Sequence, residues 1–534
     1  MVCFRVAAYV LVVFFALGSG ARADDLPDAL TLRAKSTAAY GAATPNGSET
    51  ITSVNASFTT VRHSYHRGSD VLDVFDAGPI HTESGIIHGE RWHQNDNGHT
   101  VIELPERAPP GAEPTTTTVT RVHTPIDAFV IATLTKNGSG SRDFIDAQTY
   151  FNVRRELLGP TGKIVTEYSD FRAFGTRHLA AHWVERNERT QLETTYERTD
   201  YREDNPGEAS VRMPENKRRL VDFPPGTSSV DLPAQLTPEK HWIVRVMVGD
   251  RGLDFTLDTG ASGITIDSDV ARQLDLTLVN QLRSTVNAGS YKTGSAIVHE
   301  MHVGQLTMHD TVVHVAPLGF NERGNIKSVG LLGFDFLCES QFTLDYEHKR
   351  ISVVPFESAT EPTDPKTFVL DVRLNSQQPA VTTTINGVRA DRMIFDTGGA
   401  GSMLFFDSFV RRHPDALAEA DRLPGLRRFQ GVGGVFETEP YVVPHLLLGR
   451  VDFTKFTAYR VRSAATYATT EDGILGPDFF RLFTVGLDYA HGRIFLTPNG
   501  DFHPERRTTA VGRRTRRIRS DYRSRSRANH RGYP

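Results

Sequence analysis

Alternation of apolar and polar positions predicts where this chain runs as strand. In Leu253-Asp254-Phe255-Thr256-Leu257 the two kinds of residue alternate with the period of a half-buried strand. An apolar run beginning at Trp242 precedes it, and Gly249-Asp250-Arg251-Gly252 between them has the composition of a tight turn, so the pattern predicts a hairpin. The pattern returns 138 residues later, with Asn386-Gly387 as the turn. Each copy also closes on a hairpin, turning at Glu347-His348-Lys349 and at Ala490-His491-Gly492. Two copies of one supersecondary unit are therefore expected, at 232–356 and 367–498, joined by residues 357–366.

The segment before them is different. Residues 24–225 are rich in Thr, Val, Tyr and His, with strand-like stretches around 51–65 and 128–136. Turn signals recur at Asn46-Gly47, Asn97-Gly98, Asn137-Gly138 and Pro160-Thr161-Gly162, and 106–120 reads as a Pro/Thr-rich loop. The expectation is a twisted antiparallel sheet with one or two helices. Asn205-Pro206-Gly207 and Phe223-Pro224-Pro225-Gly226 bracket a linker to the repeated half.

The two ends have their own character. Arg5, the apolar run Val6–Leu17 and Ala21-Arg22-Ala23 have the order of a secretory signal cut near Ala23. The run is shorter than the roughly 20 residues a spanning helix needs. This predicts a secreted or periplasmic protein. Residues 504–534 are Arg-rich without apolar periodicity, which predicts a disordered, solvated tail, with contact to an anionic envelope or membrane surface as the alternative.

Composition narrows the remaining choices. A length of 534 residues predicts two to four domains, and a net charge of −4 gives no overall bias toward nucleic acid. Removal of the leader takes Cys3 with it and leaves Cys338, so no intramolecular disulfide is expected. Cys338 sits in an apolar stretch and reads as a buried small hydrophobe rather than a nucleophile. The 20 histidines are scattered. His81, His88 and His93 lie near one another in sequence, as do His63 and His66, but none has metal-ligand spacing with acidic support, so neither a metal nor another cofactor is expected.

The chemistry lies in a tripeptide that occurs twice, Asp258-Thr259-Gly260 and Asp396-Thr397-Gly398. Each follows the second strand of an opening hairpin. Each is followed later by an apolar-apolar-Gly, Leu331-Leu332-Gly333 and Ile474-Leu475-Gly476, and then by a short helix signal. This unit resembles one lobe of an aspartic peptidase, closer to the retropepsin-like bacterial proteins than to pepsin. The resemblance covers 232–498. It implies two tandem β lobes with Asp258 and Asp396 as the catalytic pair. Thr259, Gly260, Thr397 and Gly398 would support the site, and no cofactor would be needed. It also implies flap hairpins near 286–294 and 429–437, with Gly289, Tyr291, Gly433 and Gly434 at the substrate. Where pepsin-like enzymes carry a hydroxyl residue after the tripeptide, this chain has Ala261 and Gly399. Loss of a donor to the charged form predicts a pair tuned to mild rather than strong acid.

The chemistry has a physical basis beside the likeness. Amide hydrolysis needs a base for water and an acid for the carbonyl oxygen and then the amine. Two adjacent carboxyl groups that share one proton supply both at one pH. Stretches at 90–100 and 143–179 also resemble the periplasmic lipoprotein-carrier fold, an open half-barrel. The expected protein is mainly β: an antiparallel sheet or half-barrel, then a bilobal acid-protease-like half with one site between its lobes. Its expected partner is a polypeptide substrate, bound by a monomer that is an internal pseudo-dimer. The alternative is an envelope protein with a pseudo-peptidase fold that binds peptide or lipid without cutting.

Overall fold

The computed structural model describes residues 26–503 except 57, 106, 108–113, 160–161, 190, 208–209, 287–288, 320–326, 432–433 and 462–469. The leader and the Arg-rich tail expected from the sequence lie outside the described residues. Among those described, no helix is long and apolar enough to cross a membrane.

The N-terminal part is one antiparallel sheet of 13 strands. The chain lays strands outward from Asn46–Asn55 to Thr100–Ile102, restarts at the far edge with Thr115–Val122, and returns strand by strand to Leu192–Arg202. The last strand closes against the first, with Thr52 opposite Glu197. Thr115–Thr120 therefore forms part of an edge strand rather than the loop expected there. Its threonines pair along Ala128–Thr135, where β-branched residues fit a pleated surface. The helix Ala29–Tyr40 is capped by Asp28, whose carboxylate accepts from Thr31 N–H at 2.8 Å. It buries Leu32 completely against Phe129, Ile131 and Ile145, a contact of about 2 kcal/mol.

The repeated half forms two nine-stranded sheets and one six-stranded sheet. In each lobe the opening hairpin forms as expected. Asn386 and Gly387 have φ of 47° and 83°, the left-handed pair that a two-residue hairpin turn requires. One expectation is corrected. Alternation predicts that Thr256 faces water, whereas it is fully buried and its hydroxyl bonds Ser328 Oγ at 2.8 Å. The reason is that the central strand Arg251–Leu257 is covered on both faces, the polar one by the buried Ser328 among others.

The closing hairpins join the lobes. Ser340–Asp345 of the first pairs antiparallel with Phe483–Asp488 of the second, Phe342 opposite Leu487. The six-stranded sheet is thus shared within one chain, and Phe342, Leu344, Val485 and Leu487 are fully buried in a core continuous between lobes.

Candidate active site

Each aspartate sits where a central strand ends. Asp258 follows Arg251–Leu257, and Asp396 follows Val388–Phe395. The apolar-apolar-Gly segments run parallel behind them, Leu257 beside Leu332 and Phe395 beside Leu475. The Asp258 N–H donates to Leu332 O at 2.9 Å, and Asp396 N–H to Leu475 O at 3.0 Å. Gly333 and Gly476 close these segments because nothing larger fits. A Cβ on Gly333 would lie 2.4 Å from Ala261 O, and one on Gly476 would lie 2.4 Å from Gly401 O. The short helices Phe334–Leu337 and Pro477–Phe480 follow.

The two threonines lock the loops across the pseudo-two-fold axis. Thr259 N–H donates to Thr397 Oγ1 at 3.1 Å, and Thr397 N–H donates to Thr259 Oγ1 at 2.9 Å. The Thr397 hydroxyl then donates to Leu257 O at 2.8 Å, and the Thr259 hydroxyl to Phe395 O. All four groups are satisfied in a fully buried setting, where an unmade bond is costly.

This lock brings the carboxyl groups together. A Cβ on Gly260 would lie 2.6 Å from the Asp396 carboxyl carbon, and one on Gly398 would lie 2.3 Å from that of Asp258. Each glycine is therefore the space the opposite aspartate occupies. Asp258 Oδ1 accepts from Gly260 N–H at 2.8 Å. Asp396 Oδ1 accepts from both Gly398 and Gly399 N–H, each at 2.8 Å. A backbone donor at Gly399 thus serves Asp396 where a hydroxyl was absent from the sequence. Burial, and then the neighbouring Asp258, still push the Asp396 carboxyl well above the usual carboxylate range.

Both hairpins expected as flaps are present. Gly289 pairs with Val286, and Gly434 pairs with Gly431, at their ends. The tips, including Gly433, and the Tyr291 side chain lie outside what the structure describes.

Residues 244–336 and 381–479 each match the model of a family described as aspartyl protease. Both lobes resemble aspartyl proteases. No curated protein matches the chain. Among solved structures, a domain of a putative outer membrane lipoprotein-sorting protein from Vibrio parahaemolyticus covers 34% of this chain and 95% of its own, at 11% identity and a TM-score of 0.28. A LolA superfamily protein from Nitrosomonas europaea covers 35% of this chain and 98% of its own, at 7% identity and a TM-score of 0.28. A DUF1329 family protein from Desulfovibrio piger covers 34% and 97%, at 9% identity and 0.26. Likenesses of that strength carry no argument about activity.

The surroundings of these protease-like lobes hold residues that sequence reading passed over. Asn97-Gly98 was legible only as a turn, yet its loop inserts three side chains into the first lobe. Asn95 Nδ2 donates to Asp335 Oδ1 at 2.7 Å, and Asn97 Nδ2 to Asp335 Oδ2 at 2.9 Å. The His99 ring spans Asp335 at 3.1 Å and Glu339 at 2.7 Å. Burial pushes the His99 pKa down, but Cys338, Asp335 and Glu339 outweigh it and hold the imidazole well above its ordinary value. Burial raises the Cys338 thiol. Asp335 and Glu339 belong to the turn of chain directly behind Gly333. The same N-terminal segment also grips the second lobe: Leu104 N–H donates to Leu374 O at 3.1 Å, and Arg107 pairs with Asp391 and Asp472. From within the repeat, the Gln378 side chain donates to Gly260 O, and His241 Nε2 to Gly399 O at 2.7 Å. Each lobe thereby holds the other's Asp-Thr-Gly loop.

Proposed function

We propose that this chain hydrolyses peptide bonds with a water held between Asp258 and Asp396. The observation that supports this most is the packing of each carboxyl against the glycine of the opposite loop, with Asp396 kept toward its protonated form. In this reading the ionised partner takes a proton from water, whose oxygen bonds to the scissile carbonyl carbon. The protonated partner gives its proton to the carbonyl oxygen. Collapse of the tetrahedral species then breaks the C–N bond, and a carboxyl proton leaves with the amine.

The deciding assay uses a denatured protein substrate between about pH 3 and pH 7, with wild type, Asp258→Asn and Asp396→Asn. Loss of cleavage in both variants supports the reading. Equal cleavage by all three proteins ends it, and binding without cleavage by wild type turns the chain into a binding protein. We further propose that the protein works outside the cytoplasm, on the strength of the apolar leader Val6–Leu17. N-terminal sequencing of the exported protein tests this, and a start after Ala23 is the expected result.

A further inference from the structure

The N-terminal sheet does more than rest against the protease-like half. Between strands Ile80–Ile87 and Glu90–Gln94 on one side and both lobes on the other lie two cavities, of about 340 and 660 Å³. Ser84, His93, Ser262 and Gln377 line both, so they form one continuous groove. Ser262 lies four residues beyond Asp258 on the same loop. Gln377 adjoins Gln378, which bonds Gly260 O. The groove therefore adjoins the Asp258 loop at Ser262, with one wall made by a domain outside the repeat.

Its walls are chemically incomplete. Gln377 is only 7% exposed, yet its Nε2 has no hydrogen-bond partner in the protein. Gln94 Oε1 and Trp92 Nε1, at 0% and 2% exposure, are likewise unsatisfied. Buried polar atoms without partners are rare and call for an occupant. Two donors and one acceptor suit an amide, and rotation of the Gln377 amide presents either its oxygen or its nitrogen to the groove. The smaller cavity carries Glu83, Asp96 and Asp335 and no Lys or Arg. Glu83 is engaged by His81 and by Lys217, and Asp335 by Asn95, Asn97 and His99. Asp96 remains, half-buried, with the His314 and His93 rings and Asp335 as its charged or titratable neighbours. A carboxylate in such a site is costly until a cation meets it.

We infer that this groove binds an extended segment of the polypeptide substrate to one side of the scissile bond, its main-chain amides against Gln377 and a Lys or Arg side chain against Asp96. The inference rests on the peptidase reading for the word substrate, but its binding test does not need turnover. A docked segment lies along the Trp92–Gln94 strand, so the N-terminal domain sets specificity that the two lobes by themselves do not have.

The test uses full-length protein carrying Asp258→Asn, so that no peptide is consumed. Labelled ten-residue peptides carry Lys, norleucine or Glu at each position in turn, and anisotropy reads Kd. The expected result is one position where Lys binds roughly tenfold tighter than norleucine, a preference that Asp96→Asn abolishes. Asp96→Lys then shifts the preference to the Glu peptide, a gain that misfolding cannot produce. Gln377→Ala weakens all peptides alike. No positional preference, or one that survives Asp96→Asn, overturns the inference. Wild type assayed on the same peptides separates the two claims. Cleavage indifferent to Lys at every position keeps the peptidase and removes the subsite, while Lys-selective binding without cleavage does the reverse.

Discussion

Thr259 and Thr397 hold each other: the N–H of each donates to the hydroxyl of the other, at 3.1 and 2.9 Å. These bonds cross the axis between the lobes, so the positions of Asp258 and Asp396 depend on them. Thr259→Ala or Thr397→Ala leaves a buried N–H and a buried carbonyl unpaired. The expected cost is about 2–4 kcal/mol of stability, with activity falling further. Thr→Ser at either site keeps the bonds and stays near wild type. Calorimetry and a peptide assay on all four variants check this, and an Ala variant as stable as its Ser counterpart contradicts it.

Asp396 ties activity to pH with a definite sign. Its folded pKa is raised above the ordinary 3.8, so the folded state keeps a proton that the unfolded state loses. That contribution to stability is present below pH 3.8 and is lost as pH rises through the folded value. Asp396→Asn is therefore expected to be inactive, yet to melt higher than wild type at about pH 7, the gap closing below pH 3.8. Wild-type cleavage should peak in mild acid. A rate maximum near pH 2 contradicts the tuning expected from the absence of side-chain hydroxyls at Ala261 and Gly399.

His99 sets the opposite end of the scale. Its folded pKa is raised above 6.5, so the stability it contributes is full below pH 6.5 and lost as pH rises through the folded value. Asp335 and Glu339 would be left as buried, less-compensated carboxylates in His99→Ala. A loss of about 3–5 kcal/mol is expected near pH 6, shrinking at about pH 10. Urea unfolding at both pH values measures it, and a loss equal at the two would refute the charge assignment.

Gly398 is a tighter constraint than any turn requires. A Cβ there would lie 2.3 Å from the Asp258 carboxyl carbon. Gly398→Ala is expected to retain the fold and to lose cleavage by about 100-fold or more, because displaced reacting groups forfeit alignment. Unchanged kcat/KM would show that the carboxyl is not confined as described.

How much was legible beforehand follows from the range of the interactions. The doubled Asp-Thr-Gly, the hairpin turns at Asn386-Gly387 and the apolar-apolar-Gly segments are local signals: each residue type is dictated by its own backbone or by a strand beside it. The sequence therefore determined the mainly β character, the two copies and the candidate pair. Thr256 was misread because alternation reports one covered face, while here the other face is covered too, with Ser328 against the hydroxyl. Asn97 was legible only as part of a turn, and the roles of Asn95, His99 and Gln377 escaped altogether. His99 reaches Asp335 and Glu339 across 236 and 240 residues, and no periodicity encodes a contact of that separation. Only the tertiary structure decided that the N-terminal sheet anchors to both lobes and walls the groove beside the dyad, because that arrangement exists only once distant segments pack and must satisfy each other's buried charges.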